Sequence, residues 1–168
     1  METVTSSGSA KLTLPSDTEI HVTREFAAPK HLVYKAVTTP ELVKRWWNAK
    51  RGQVTTADID LREGGKWRYV MAAENGFEVG FHGEYRDIVP NERIVSTEVF
   101  EGAPDPESNG TVNTMTLKER DGRTTLTVLI QCPSKEVRDA IIESGMEAGL
   151  QDAYDLLEEV AISLPAGS

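Results

Sequence analysis

The sequence predicts an α+β domain in which a curved antiparallel sheet wraps one long C-terminal helix. Three observations lead there. Short segments of alternating polarity recur between residues 11 and 132, tight-turn dipeptides such as Asn75-Gly76 and Asp121-Gly122 join neighbouring segments, and an apolar stripe at helical spacing follows residue 133.

At 168 residues the chain fits one domain with a sizeable core. Apolar residues make up 39% and charged residues 27%, a globular balance too apolar for disorder. The net charge of −9 disfavours duplex nucleic acid, whose binding rests on basic contacts to phosphates, and disfavours anionic membranes. No apolar run approaches the ~20 residues that a membrane span needs, so no membrane insertion is expected. Residues 1–10 lack a basic, apolar leader pattern and are expected to form a disordered tail, with 11–168 as a single domain in a cytoplasmic protein. Cys132 stands alone, which rules out an intrachain disulfide and a cysteine-based zinc site.

The elements follow in order. Residues 11–15 alternate, Ser16-Asp17 turns the chain, and the next segment sets Ile20, Val22, Arg24 and Phe26 on one face. Pro29 suits the first turn of a short helix over 30–37, with Leu32, Val33 and Ala36 inward. Thr39-Pro40 opens a second short helix ending at Trp46-Trp47. Strands are expected over 54–61, 66–73, 77–89, 93–100, 111–119 and 123–132. Trp67, Tyr69 and Met71 share a face; so do Phe77, Val79, Phe81, Gly83 and Tyr85. Residues 102–110 form the one clear loop.

Pro133-Ser134 then starts a helix expected to run unbroken to 163, spanning about 45 Å. Its stripe is Val137, Ile141, Met146, Leu150, Ala153, Leu157, Val160 and Leu164. Gly145 and Gly149 lie one turn apart; close packing against a strand, a kink, or room left for a ligand would each account for them.

Catalytic motifs are missing. There is no phosphate-cradling glycine loop, no HExxH and no nucleophile elbow, and the scattered His21, His31 and His82 do not converge on a metal. No catalytic residue, metal site or cofactor is therefore expected. Aromatic and thioether side chains are more informative. Trp46 and Trp47 are adjacent on a short helix, so both cannot face inward, and one belongs at a surface or a mouth. Large aromatics with flexible methionines suit an adaptable apolar cavity, although a plain core uses the same residues.

Three phrases carry a resemblance: residues 40–47 (PELVKRWW), 60–67 (DLREGGKW) and 83–95 (GEYRDIVPNERIV). Together they resemble the family of activators of heat-shock-protein-90 ATPase, C-terminal-domain-like, within the START-like (SRPBCC) superfamily. The similarity runs from about residue 19 to 164. It implies a helix-grip fold with a pocket between sheet and long helix, and small hydrophobic ligands such as lipids or polyketides. It transfers no catalytic constellation. Similar proteins often continue the paired tryptophans with Gly-Pro, where this chain has Asn48-Ala49, and place tryptophan after the helix glycine, where it has Met146.

The expected function is binding of a small hydrophobic or amphipathic ligand between sheet and helix. The candidate lining is Trp47, Trp67, Tyr69, Met71, Phe81, Tyr85, Met115, Met146, Leu150 and Tyr154, with Arg68 or Arg45 as candidates to orient a polar head. The alternatives are a chaperone-regulating interaction module and a cavity enzyme such as a cyclase or hydrolase. The latter would use Tyr69, Tyr85 or Tyr154 as proton donors and an inward-turned Asp60 or Glu84 as base.

Overall fold

The computed structural model of the protein describes residues 2–5, 10–48 and 50–165, the first four by their backbone alone. The strands are β1 (Glu2–Thr5), β2 (Lys11–Ser16), β3 (Glu19–Phe26), β4 (Gly52–Ile59), β5 (Lys66–Ala73), β6 (Glu78–Val89), β7 (Arg93–Phe100), β8 (Thr111–Arg120) and β9 (Arg123–Gln131). The helices are α1 (Lys30–Thr38), α2 (Pro40–Trp46), α3 (Lys135–Glu143) and α4 (Met146–Ser163). Among the described residues the strands form one sheet in the order β1-β2-β3-β9-β8-β7-β6-β5-β4, each pair antiparallel. The predicted α+β class, with a helix clasped by an antiparallel sheet, is what the chain adopts.

Register explains which side chains face inward, because side chains alternate along a strand and directly paired residues share a face. Ile20, Val22, Arg24 and Phe26 stand opposite Ile130, Val128, Leu126 and Thr124, and Leu126 and Val128 in turn pair with Leu117 and Met115. These residues make the concave face, and Phe26, Ile20, Leu117 and Leu126 are fully buried in it with Leu157 of α4. Each such side chain contributes about 1.5–3 kcal/mol relative to exposure. A register shift between Tyr85 and Asp87 bends β6, and it lets both Tyr85 and Ile88 face inward on either side of it.

Helix α4 packs on α1 and α2, so these three form the layer that faces the sheet. An ion-pair cluster with a buried cation ties the layers together. Arg24, 3% exposed, donates to Asp155 Oδ1 at 2.9 Å and to Glu158 Oε1 at 3.0 Å, with its guanidinium 5.0 Å from the Phe26 ring centroid.

Several expectations need correction. Glu2–Thr5 pairs with β2 instead of belonging to a disordered tail, in keeping with the β-forming Thr-Val-Thr it contains. Residues 6–9 lie outside the described residues. Ala10 is fully buried, and its backbone exchanges hydrogen bonds with the Gln151 amide on α4. The C-terminal helix is two helices: Ser144 ends α3, and Gly145, at φ 90°, takes the left-handed conformation that glycine adopts without a Cβ penalty. Phe77 falls outside β6 and is 65% exposed, because the Asn75-Gly76 connection takes residues 74–77 out of the ladder. Only Gly76 has a positive φ there, whereas Asp121 and Gly122 both do and make the tight two-residue hairpin.

Candidate functional site

The middle of the concave face is built by β5, β6, β7 and β8. Tyr69 pairs with Phe81, Phe81 with Phe100, Tyr85 with Ser96, Glu98 with Thr111, Ser96 with Asn113, and Ile94 with Met115. All of these side chains therefore point toward α2 and α4. A packed core would bury them fully, yet Tyr69, Phe81, Ser96, Glu98, Asn113, Met115 and Val128 are only half-buried. Across from them Met146, Leu150 and Ala153 of α4 are half-buried as well. Tyr69, Met115, Val128, Met146, Leu150 and Ala153 pack against the buried core, and each keeps part of its surface accessible.

Aromatic rings line one end. Trp46 is buried, its indole N–H donating to the Ala36 carbonyl at 3.0 Å, while Trp47, just past α2, is half-buried. The Trp47 ring meets Tyr69 edge-on at 5.3 Å and Phe81 at 5.7 Å, and Phe81 stacks on Phe100 at 5.1 Å. Phe100 is 42% exposed, so this row of rings leads from the interior to solvent. Trp67 contacts Tyr69 at 4.8 Å.

A polar cluster sits among these rings. Thr111 Oγ1 donates to Asn113 Oδ1 at 2.9 Å, and Asn113 Nδ2 donates to Glu98 Oε1 at 2.6 Å. Burial pushes the Glu98 carboxyl above the ordinary carboxylate range, and the Asn113 amide opposes that shift. Burial likewise raises the Tyr69, Tyr85 and Tyr154 phenols; Glu98 lies close enough for its charge to raise Tyr69 and Tyr154 further. The Tyr69 and Tyr85 phenols lie close enough to influence each other's titration.

Of the ten expected lining residues, the structure groups Trp47, Trp67, Tyr69, Phe81, Tyr85 and Met115 around this face. Met146 and Leu150 lie on the helix opposite, and Tyr154 is buried edge-on against Phe26 at 5.7 Å. Met71 stands apart, buried toward the sheet edge against Gly52. Sequence reasoning missed Glu98, Asn113 and Phe100. The signal for Glu98 was available in RIVSTEVF, where Ile94, Ser96, Glu98 and Phe100 fall on one face and Val95, Thr97 and Val99 on the other.

Other expected polar residues face away. Arg68 lies on the convex face, bonded to Glu101 at 2.8 and 2.9 Å, and Arg45 is exposed. Asp60 is exposed and pairs with Arg62, and Glu84 pairs in register with Lys66 on the convex side. Gly149 faces the Arg51 guanidinium, not a strand or the concave face. An open groove of about 660 Å³ also lies on the convex face, among Lys66, Arg68, His82, Glu84 and Glu107. Trp67, Val99 and Val112 also line it, so its walls mix charged and apolar surface. Among the described residues no group of three or more His, Cys, Asp or Glu is placed to hold a metal, and no helix is long and apolar enough to cross a membrane.

Known proteins show the same architecture. No curated protein sequence matches the chain. A protein from Rhodobacter sphaeroides superposes with a TM-score of 0.85 at 25% identity, over 93% of this chain and 99% of the other. One from Chromobacterium violaceum gives 0.74 at 25%, over 87% and 98%, and one from Staphylococcus epidermidis 0.75 at 26%, over 88% and 92%. The family described as "Activator of Hsp90 ATPase homolog 1-like protein" matches residues 27–161. Sheet, clasping helix and family match agree: the chain belongs to the Activator of Hsp90 ATPase homolog 1-like protein family.

Proposed function

We propose that the protein binds a small hydrophobic or amphipathic molecule between the concave sheet face and α4. The observation that carries this reading is the run of inward-facing residues that remain half-buried in the middle of the fold, from Tyr69 and Phe81 to Met115 and Val128, opposite Met146 and Leu150. Apolar surface left open there gains roughly 25 cal/mol per Å² when a ligand covers it, so a few hundred square ångströms offset the cost of association. The row Trp47, Phe81 and Phe100 supplies an apolar entrance. A single buried thiol, Cys132, accords with a reducing, cytoplasmic setting.

The test uses Nile red, an uncharged apolar dye. Its fluorescence is expected to rise on mixing with the protein, with amide shifts concentrated in β5–β8 and α4. Met115→Trp, which adds bulk to the centre of the face, is expected to weaken binding at least tenfold while leaving the circular dichroism unchanged. Shifts confined to the convex face, or undiminished binding by the filled variant, would remove the proposal.

A further inference from the structure

Within the central part of the concave face the charged side chains among the described residues are Arg24 and Glu98. Arg24 is spent on Asp155 and Glu158, which leaves no cation there to receive an anionic group. Glu98 is differently placed. It stands on β7, near the middle of the strand order, with Tyr69 and Tyr154 near enough to feel its charge.

Its hydrogen bonding is half complete. The relay from Thr111 through Asn113 fixes the amide so that Nδ2 points at Glu98 Oε1. The second oxygen, Oε2, accepts no hydrogen bond among the described residues. Oε2 is not among the buried side-chain atoms that lack a partner, so it keeps accessible surface where water or a ligand donor can meet it. The half-buried state of the side chain puts that atom within reach of whatever enters the seam.

We infer that Glu98 Oε2 is the head-group acceptor of the site, so that the ligand is an apolar molecule carrying one hydrogen-bond donor, a hydroxyl or an ammonium, and not a carboxylate-bearing lipid. This rests on the binding reading above and adds polarity and orientation to it: the donor at β7 and the apolar body along Tyr69, Phe81 and Trp47. A carboxylate ligand would set two anions together with no cation between them, which disfavours it by repulsion and desolvation.

The experiment compares decan-1-ol, decylamine and decanoate at pH 7.5, each titrated into the protein and followed by amide shifts, with Nile red as reference. The alcohol and the amine are expected to bind at least tenfold more tightly than decanoate, and Glu98→Gln is expected to narrow that gap, chiefly by weakening the amine. Decanoate binding as tightly as the other two overturns the inference and leaves the binding reading standing. So does Nile red binding with none of the three decyl compounds. Failure of Nile red to bind removes both. The wild-type ranking alone decides the matter if the variant does not fold.

Discussion

The Trp67 indole donates its Nε1–H to the Thr97 carbonyl oxygen at 3.2 Å, across the side-chain-free position of Gly83. A Cβ on Gly83 would stand 1.8 Å from that oxygen and 2.7 Å from the indole nitrogen. Glycine there lets a ring on β5 reach over β6 to the backbone of β7. Gly83→Ala is expected to break this contact and cost about 3 kcal/mol, with a shift in tryptophan emission. Urea unfolding followed by fluorescence checks it, and an unchanged midpoint would contradict it.

The Glu98 carboxyl gives the protein a pH signature. Its folded pKa lies above the ordinary value of 4.5, so the folded state binds a proton more readily than the unfolded chain. Its favourable contribution is therefore complete below about pH 4.5 and lost as pH rises through the folded pKa. Glu98→Gln is expected to melt higher than the wild type at pH 7.5, with the two curves converging toward pH 4.5. Thermal melts across that range read the difference; parallel curves would refute it.

Arg24 makes unequal use of its two partners. Glu158 is 26% exposed and also accepts the Ala27 N–H at 2.8 Å, whereas Asp155 is 51% exposed. Glu158→Ala is expected to cost about 2–3 kcal/mol and Asp155→Ala about 0.5 kcal/mol, because solvent screens the outer carboxylate. Equal losses in chemical denaturation would count against this.

Two glycines one helical turn apart are expected to respond with opposite signs. Gly145 has a positive φ, so Gly145→Ala strains the backbone by about 1–2 kcal/mol even though nothing crowds the new methyl. Gly149 is inside α4, where a Cβ would meet Arg51 at an ordinary 3.6 Å. Gly149→Ala is expected to stabilise by up to ~1 kcal/mol. Melting temperatures of the pair read both signs in one series.

Cys132 is buried, and burial pushes its thiol up to about 11 against a small opposing effect of Arg138. Little thiolate is present near neutrality. Iodoacetamide at pH 7.5 is expected to label the chain only once it unfolds, so mass-spectrometric labelling should track the denaturation curve. Fast labelling of the native protein would overturn this.

Local patterning carried most of the fold. Alternation in β3, β5 and β9, the Asp121-Gly122 hairpin, Pro40 at the start of α2 and Ser134 at the start of α3 each act over a few residues, and each is legible from its neighbours. The helix break was not, because Gly145 fits either a helix with a small energetic cost or a left-handed stop, and the docking of the two segments selects the stop. Part of the site was readable in the same way: parity alone puts Trp67 and Tyr69 on one face of β5, and Phe81 and Tyr85 on one face of β6.

What the sequence by itself determined was the class of the fold and the inward face of several strands, β3 and β9 among them, since side-chain alternation and turn chemistry are local. Only the tertiary structure decided that Glu98 meets Asn113, that Trp47 and not Trp46 reaches Tyr69, and that Arg68 turns to Glu101 on the far side. Those pairings depend on strand register and on how α2 docks. Register is a property of two segments at once, and no single stretch of chain contains it.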